Sequence, residues 1–440
     1  MKDIIDIIKR FLLFFTFFLL VSLINSCMVY RAARYWMPEI HEYNAFPQAK
    51  IASSADKYHF PVAIDSFIVS MKLLPIAGRD TTRLTVDEYL AKSATTAYLL
   101  IKDDTIIYEQ YYRGYDRSKI SVTFSITKSV TSLLVGIAVD EGFIKSVHDL
   151  VIDYIPELRK GDPRFQKLTI EHLLNMQAGL RFEESYTNPF KGMARLFYGR
   201  NQLRQLKKLK FEQDPGEKYA YNSATTAILG IALEKAIKKP YAEYLEEKVW
   251  KPLGMEYDAS MSLDDRRNRS AKSYYGLSAT AIDLAKIGRL YLNYGNWNGK
   301  QIVSKEWIEN SITPNMEEGH IETRRGYQYQ WMSEERIRHF RDSTGAIFNN
   351  LTNTVRFAEE LSLPYYDIRK NRRADTSEYW IVTEFSPEFC AFGIMSQILF
   401  VDPERKIIMV RLGEIWDHGA GVRPLTRDLV RHYPVLEKKW

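Results

Sequence analysis

Strand-like segments stand towards both ends of this chain, and helical segments fill the middle. The stretch TTAYLLIKDDTIIYEQYYRG, residues 95–114, reads as two strands of β-branched and aromatic residues around a turn at Asp103-Asp104. Much later, QILFVDPERKIIMVRLGE, residues 397–414, reads as a second hairpin turning at Asp402-Pro403. Strands must share a sheet, so the two chain ends are expected to meet in one, with helices packed on it and a helical lobe inserted. The expected fold class is α+β: an antiparallel sheet built from both chain ends, flanked by helices, plus a mostly helical lobe. No internal repeat is visible.

The helix after the first hairpin is FSITKSVTSLLVGIAVDEG, residues 124–142. Val130, Leu133, Leu134, Ile137 and Ala138 fall at i, i+3, i+4, i+7 and i+8, one buried stripe, and Gly142 suits a C-cap. Its first turn is polar, with Ser125, Thr127, Lys128 and Ser129. A lysine there sits at the positive end of the helix dipole. Further helices are expected in TIEHLLNMQAGL, in SATTAILGIALEKAI, and in YAEYLEEKVWKPLGM, ending near Pro252 and Gly254. SATAIDLAKIGRLYLNYG is another, with Thr280 and Asp283 spaced as a capping box. A last helix is expected at about Pro424–His432.

The N-terminus has a different character. Lys2, Lys9 and Arg10 precede an apolar run, Phe11 to Ile24, broken only by Thr16 and Ser22. It suits a signal-peptide core better than a span of about 20 apolar residues. Ser26 stands directly before Cys27, as in a bacterial lipoprotein signal, although Asn25 makes the match imperfect. Lipidation of Cys27, an uncleaved anchor within residues 1–27, and plain secretion are the readings, in that order. All place the chain outside the cytoplasm, and the first two attach it to a bacterial envelope membrane. The only other cysteine, Cys390, lies between Phe389 and Ala391 and reads as a buried small hydrophobe. With Cys27 lipidated no disulfide can form within the chain, so the fold rests on its core. Residues 28–90 read as an extension or linker, and 91–436 as the main domain. Residues 333–388 read as an insertion: a lid, a cleft wall or a surface loop.

At 440 residues, 45% hydrophobic and 26% charged, the chain can bury a sizeable core. Its net charge of +6 is spread without a Lys/Arg block, which speaks against nucleic-acid binding. The eight histidines are scattered, with no His-Glu-x-x-His and no paired-cysteine spacing, so no metal site is expected, and the serine chemistry considered below needs no cofactor. No Gly-x-Ser-x-Gly elbow is present, which argues against a Ser-His-Asp α/β-hydrolase.

Ser125 and Lys128, three residues apart on one helix, share a face. The helix N-terminus and burial both disfavour the ammonium, and a neutral lysine can accept the serine proton. The serine N–H, at the helix start, can serve an oxyanion hole. The pair alone is a short pattern that chance also produces. In PGEKYAYNSATTAILG, Tyr221 arrives just before a helix and is either a cleft residue able to relay a proton or a packing aromatic. Ser223 reads as that helix's N-cap. In FCAFGIMSQILFVDP, Gly393 permits close approach of a ligand or of another strand.

These three stretches together resemble the class C β-lactamases and related penicillin-recognising serine hydrolases, in the order Ser-x-x-Lys, Tyr-x-Asn, Lys-Thr-Gly. EHLLNMQAGL, PGEKYAYNSATTAILG, YGLSATAIDLAKIGRLYLN and SQILFVDPERKIIMVRLGE are similar to the branch containing 6-aminohexanoate-dimer hydrolase. The resemblance implies Ser125 as nucleophile, Lys128 as its base paired with Tyr221, and the N–H groups of Ser125 and Ile394 as the oxyanion hole. It also implies Trp331, Ser223 and Gly393 beside the substrate, with a core tryptophan the other reading of Trp331. Two departures matter: Ser223 replaces the second motif's asparagine, and Ala391 replaces the third motif's lysine. Without that cation a β-lactam carboxylate loses its partner, so an esterase or amidase acting on a small-molecule or peptide-like substrate is expected. Ser396 stands where the branch is expected to hold glycine. The rival reading is a non-catalytic envelope lipoprotein that keeps the fold and binds.

Overall fold

The computed structural model describes residues 9–16, 38–41, 44–66, 68, 84–185, 192–313, 326–339, 341, 346–361, 366–372 and 378–414. The lipidation candidate Cys27 and the helix expected at 424–432 lie outside them. The main sheet takes eight strands from the described residues: β1 (Thr95–Lys102), β2 (Thr105–Tyr111), β3 (Tyr327–Gln328), β4 (Trp331–His339), β5 (Tyr366–Arg372), β6 (Glu378–Gly393), β7 (Gln397–Asp402) and β8 (Ile407–Gly413). Their order is β2-β1-β8-β7-β6-β4-β3, with β5 also on β6, and every pairing is antiparallel. The two chain ends meet where β1 lies beside β8, from Lys102 opposite Ile407 to Ala97 opposite Leu412. The expected sheet is therefore the observed one. Asp103 and Asp104 turn the first hairpin with φ of 47° and 60°, the left-handed pair that a tight hairpin needs.

Alternation on β1 divides the core. Ala97, Leu99 and Ile101 face the large core, while Tyr98 and Leu100 face a smaller cluster that Val86 and Leu90 of helix α1 (Val86–Lys92) complete. On the large-core face lie α2 (Ile126–Asp140), α3 (Ser223–Ile237) and α4 (Ala281–Leu292). A Cβ on Gly288 of α4 would meet Ile408 at 2.9 Å and Leu399 at 3.0 Å, so glycine lets this helix seat on the sheet. Helix α2 departs from its expected stripe: every residue from Ile126 to Ala138 is buried, polar ones included. It is a central helix with neighbours all round. Thr280 caps α4 through the Asp283 N–H, but the expected box is only half made. The Asp283 carboxylate instead accepts from the N–H groups of Glu256 and Tyr257 at 2.7 and 3.0 Å.

The described part of the extension packs on the body. Gln48–Ile51 joins Ala259–Ser262, Leu277–Ala279 and Ser121–Val122 in a second, four-stranded sheet. Tyr58 and Trp297 hold the Arg289 guanidinium at 4.8 and 4.4 Å from their rings. The described part of residues 333–388 is mostly strand and helix. The outer half of β6 continues the sheet, pairing with β4 on one edge and β5 on the other, and Phe348, Phe357, Ala358, Ile368 and Val382 form its own small core. Val382 lies on the order of 36 Å along the strand from Gly393, at about 3.3 Å per residue. The extension thus leads away from the end of the sheet where Ser125 lies.

Candidate active site

The second sheet delivers the chain to Ser125. Ser121 and Val122 pair with Ala279 and Ser278, and the Thr123 N–H donates to Leu277 O at 2.8 Å. Phe124 then takes φ 47°, costly for a bulky residue, and its ring is buried. That reversal starts α2, with Ser125 as its N-cap residue and Lys128 one turn on, as the spacing predicted.

Lys128 Nζ lies 2.9 Å from Ser125 Oγ and 2.9 Å from Tyr274 O. It is 2% exposed. Burial lowers its pKa to about 8, against an opposing pull from the Glu184 carboxylate. The Tyr221 hydroxyl donates to Ser125 Oγ at 2.9 Å, and the Tyr221 ring lies 5.1 Å from the ammonium. Tyr221 is 39% exposed, so its side chain reaches solvent instead of packing in the core. The structure thus brings Ser125, Lys128 and Tyr221 to one point. The contact to Lys128 serves either direction: an ammonium donates to the hydroxyl oxygen, and a neutral amine accepts its proton.

Gly393, at the end of β6, backs onto the same turn. A Cβ there would lie 2.6 Å from Thr123 O and 3.1 Å from Phe124 Cβ. The close approach allowed by this glycine is therefore to the chain's own backbone, at the two residues that precede Ser125. Ala391, two residues before Gly393, is 2% exposed and packed in the large core, so its face of β6 offers no cation.

Two expectations fail. Trp331 is 1% exposed and packs on Tyr291 and Phe389 at 4.3 and 5.3 Å between ring centres, so it is a core residue and not a substrate contact. Ser223 is the first residue of α3 and not its cap, because the Asn222 side chain accepts from the Ala224 N–H at 2.9 Å. The Ser223 N–H and hydroxyl instead both donate to the Glu184 carboxylate. Sequence reasoning missed Glu184, which RFEESY does not distinguish from its neighbour Glu183. The surrounding protein raises its pKa, and Lys128 opposes that rise. Tyr274 O was also missed, since a backbone carbonyl carries no sequence signal. Tyr327 stands edge-on to Tyr221 at 6.1 Å and closes one flank of the site.

A sheet of this order, helices on its face and a serine at a helix start opposite the end of an inner strand define the β-lactamase/transpeptidase-like class of fold. Comparisons with known proteins agree. A solved structure, "Putative 6-aminohexanoate-dimer hydrolase from Bacillus anthracis", superposes with a TM-score of 0.69 at 21% identity, covering 93% of this chain and 95% of that one. D-alanine carboxypeptidase AmpC from Burkholderia cenocepacia superposes at 0.50 with 15% identity, covering 78% and 95%. In sequence, the 6-aminohexanoate-dimer hydrolase of Paenarthrobacter ureafaciens is 27% identical over 238 residues, 52% of this chain and 59% of that protein. The chain thus matches little more than half the length of that relative. The sequence profile of the Beta-lactamase family matches residues 83–417, and the chain belongs to that family.

Proposed function

We propose that this chain is a serine hydrolase that cleaves an ester or amide bond through an acyl-enzyme on Ser125. The observation that carries the reading is the pair of 2.9 Å contacts converging on Ser125 Oγ, from Lys128 Nζ and from the Tyr221 hydroxyl. Neutral Lys128 takes the serine proton as Oγ attacks the carbonyl carbon. The oxygen that gains charge is held by the N–H groups of Ser125 and Ile394. Collapse of this intermediate expels the alcohol or amine, which Tyr221 protonates with the proton it recovers through Lys128. Water then attacks the acyl carbon, with the same groups removing its proton, and Ser125 leaves. Similarity to a 6-aminohexanoate-dimer hydrolase supports an amide substrate, and the missing cation at Ala391 argues against one that presents a β-lactam carboxylate.

A fluorophosphonate probe tests the reading. Labelling of the wild type and none of Ser125→Ala is expected. An unlabelled wild type, or equal labelling of the variant, refutes it and favours a binding protein.

The site works outside the cytoplasm in this proposal, attached to a bacterial envelope membrane through the N-terminus. Phe11 to Phe15 are five consecutive apolar residues, each at least 61% exposed, as expected of a segment meant for an apolar medium. Lipid on Cys27 predicts a mature protein that begins at that residue. A peptide starting at Met1, found by mass spectrometry of cell-derived protein, refutes it.

A further inference from the structure

We infer that Arg411 is a positioning residue for the Ile394 oxyanion donor, acting through the turn that joins β6 to β7. The inference rests on the catalytic reading above. Met395 adopts φ 61° and ψ 23°, and Ser396 adopts φ 60°. Two consecutive non-glycine residues thus occupy the left-handed region, directly after Ile394. Such backbone persists where its surroundings hold it.

What holds it is a buried fork on β8. Arg411 is 1% exposed, and its Nη1 donates to Ser396 O at 2.8 Å. Its Nη2 donates to Ser93 O at 2.8 Å, and its Nε to Thr95 Oγ1 at 3.1 Å. Those two acceptors sit at the C-cap of α1 and the first residue of β1, so the planar guanidinium is fixed beside the sheet and presents its remaining arm to the turn. Gln397 adds a second tie: its Nε2 donates to Gly413 O at 2.6 Å, and its Oε1 accepts from the Gly413 N–H at 3.2 Å. A Cβ on Gly413 would lie 2.6 Å from Arg411 Nη1 and 2.9 Å from Met395 O, so the turn is seated against β8 with no slack.

The oxyanion hole takes its two donors from separate elements. The Ser125 N–H is set by the Phe124 reversal and the start of α2. The Ile394 N–H is set by Gly393 on one side and by the Arg411-held turn on the other. A donor displaced by about 1 Å costs on the order of 100-fold in rate, so the fork controls the rate without touching substrate. A lysine cannot replace it, since a point donor cannot hold three divergent acceptors in one plane.

The test is Arg411→Lys in the full chain, assayed with an aryl ester. The expected result is a fall in kcat of roughly 10- to 100-fold at little-changed KM, with the pH profile unmoved because Lys128 is untouched. Adding Ser396→Gly should restore about 10-fold or more, since glycine takes positive φ without cost and the turn reforms unaided. If Arg411 only ties β8 to β1, kcat stays at the wild-type value, or the glycine restores nothing, and either result overturns the inference. Should Arg411→Lys not fold, Thr95→Val removes the Nε acceptor, together with the Thr95 hydroxyl's contact to Ser93 Oγ, and leaves the other two guanidinium bonds. It should lower kcat several-fold with the same rescue, and an unchanged kcat overturns the inference. A wild type without Ser125-dependent turnover overturns both this inference and the catalytic reading. A wild type that turns over beside an indifferent Arg411→Lys overturns this inference alone.

Discussion

Replacing Lys128 by methionine should separate the energetic cost of this lysine from its use. Burial moves its pKa from the ordinary 10.5 to about 8. That difference corresponds to about 3 kcal/mol at neutral pH, at 1.36 kcal/mol per tenfold change. The sign follows from proton counting. The unfolded chain keeps the proton up to pH 10.5, whereas the folded chain releases it from about 8. Below pH 8 both states hold it and the cost is present in full. Between 8 and 10.5 the unfolded state binds more protons, so stability rises with pH, and above 10.5 the cost is gone. Lys128→Met never bears this cost, but it removes the hydrogen bond from Lys128 to Tyr274 O, which costs about 1–2 kcal/mol. The variant should therefore be more stable than wild type by about 1–2 kcal/mol at pH 7, equal to it at about pH 9–10, and less stable above. Denaturant midpoints measured from pH 7 to 10.5 would show that crossing. A stability difference that does not change with pH refutes the reasoning, since it would mean that Lys128 titrates alike in both states. The same variant should lose on the order of 100- to 10,000-fold in the rate of Ser125 acylation, and full hydrolysis of an aryl ester by it would remove Lys128 as the base.

The remaining predictions use the same geometry. In the wild type, kcat/KM for an ester should rise with pH through about 8, as the lysine becomes neutral. Glu184→Gln removes the carboxylate that holds this value up, so the rising limb should move to lower pH, and a limb that stays or moves up counts against the coupling. Gly393→Ala places a Cβ against Thr123 O at 2.6 Å, a backbone atom that cannot swing aside, and kcat should fall by about 100-fold in steady-state assays. Trp331→Phe should lower the denaturation free energy by about 1–3 kcal/mol, as a core truncation, and leave kcat/KM within about twofold; a large rise in KM would return Trp331 to the cleft.

The sequence made legible what depends on pattern along the chain. Alternation and turn residues located β1, β2, β7 and β8, and the sheet followed because unpaired strands need partners. The Ser125–Lys128 spacing put both on one helix turn, and the structure keeps them there. What stayed hidden depends on chemistry across the chain. Trp331 sits in the same apolar context whether its ring turns to the core or to the cleft, and only the packing of Tyr291 and Phe389 decides. Ser223 and Asn222 are both good caps, and Glu184, from a distant loop, claims the serine and leaves the cap to the asparagine. The half-made box at Thr280 has the same origin, since Asp283 is drawn off by two amides remote in sequence.

A further set of contacts hidden from the sequence holds backbone where local preference would not. Phe124, Met395 and Ser396 all adopt positive φ within a residue or two of the proposed oxyanion donors. None is glycine, so no sequence rule announces the turns, and their surroundings must supply the restraint. At Phe124 the restraint is apolar burial of its ring and the Thr123 N–H tie to Leu277. At Ser396 it is polar, from a guanidinium anchored on a different strand. Rigid donors around an uncharged reactant stabilise charge only as it forms, which is what the proposed acylation of Ser125 requires. In the proposed mechanism the strained backbone and the buried lysine are two parts of one arrangement, in which folding free energy is given up where the chemistry needs fixed donors and a neutral amine.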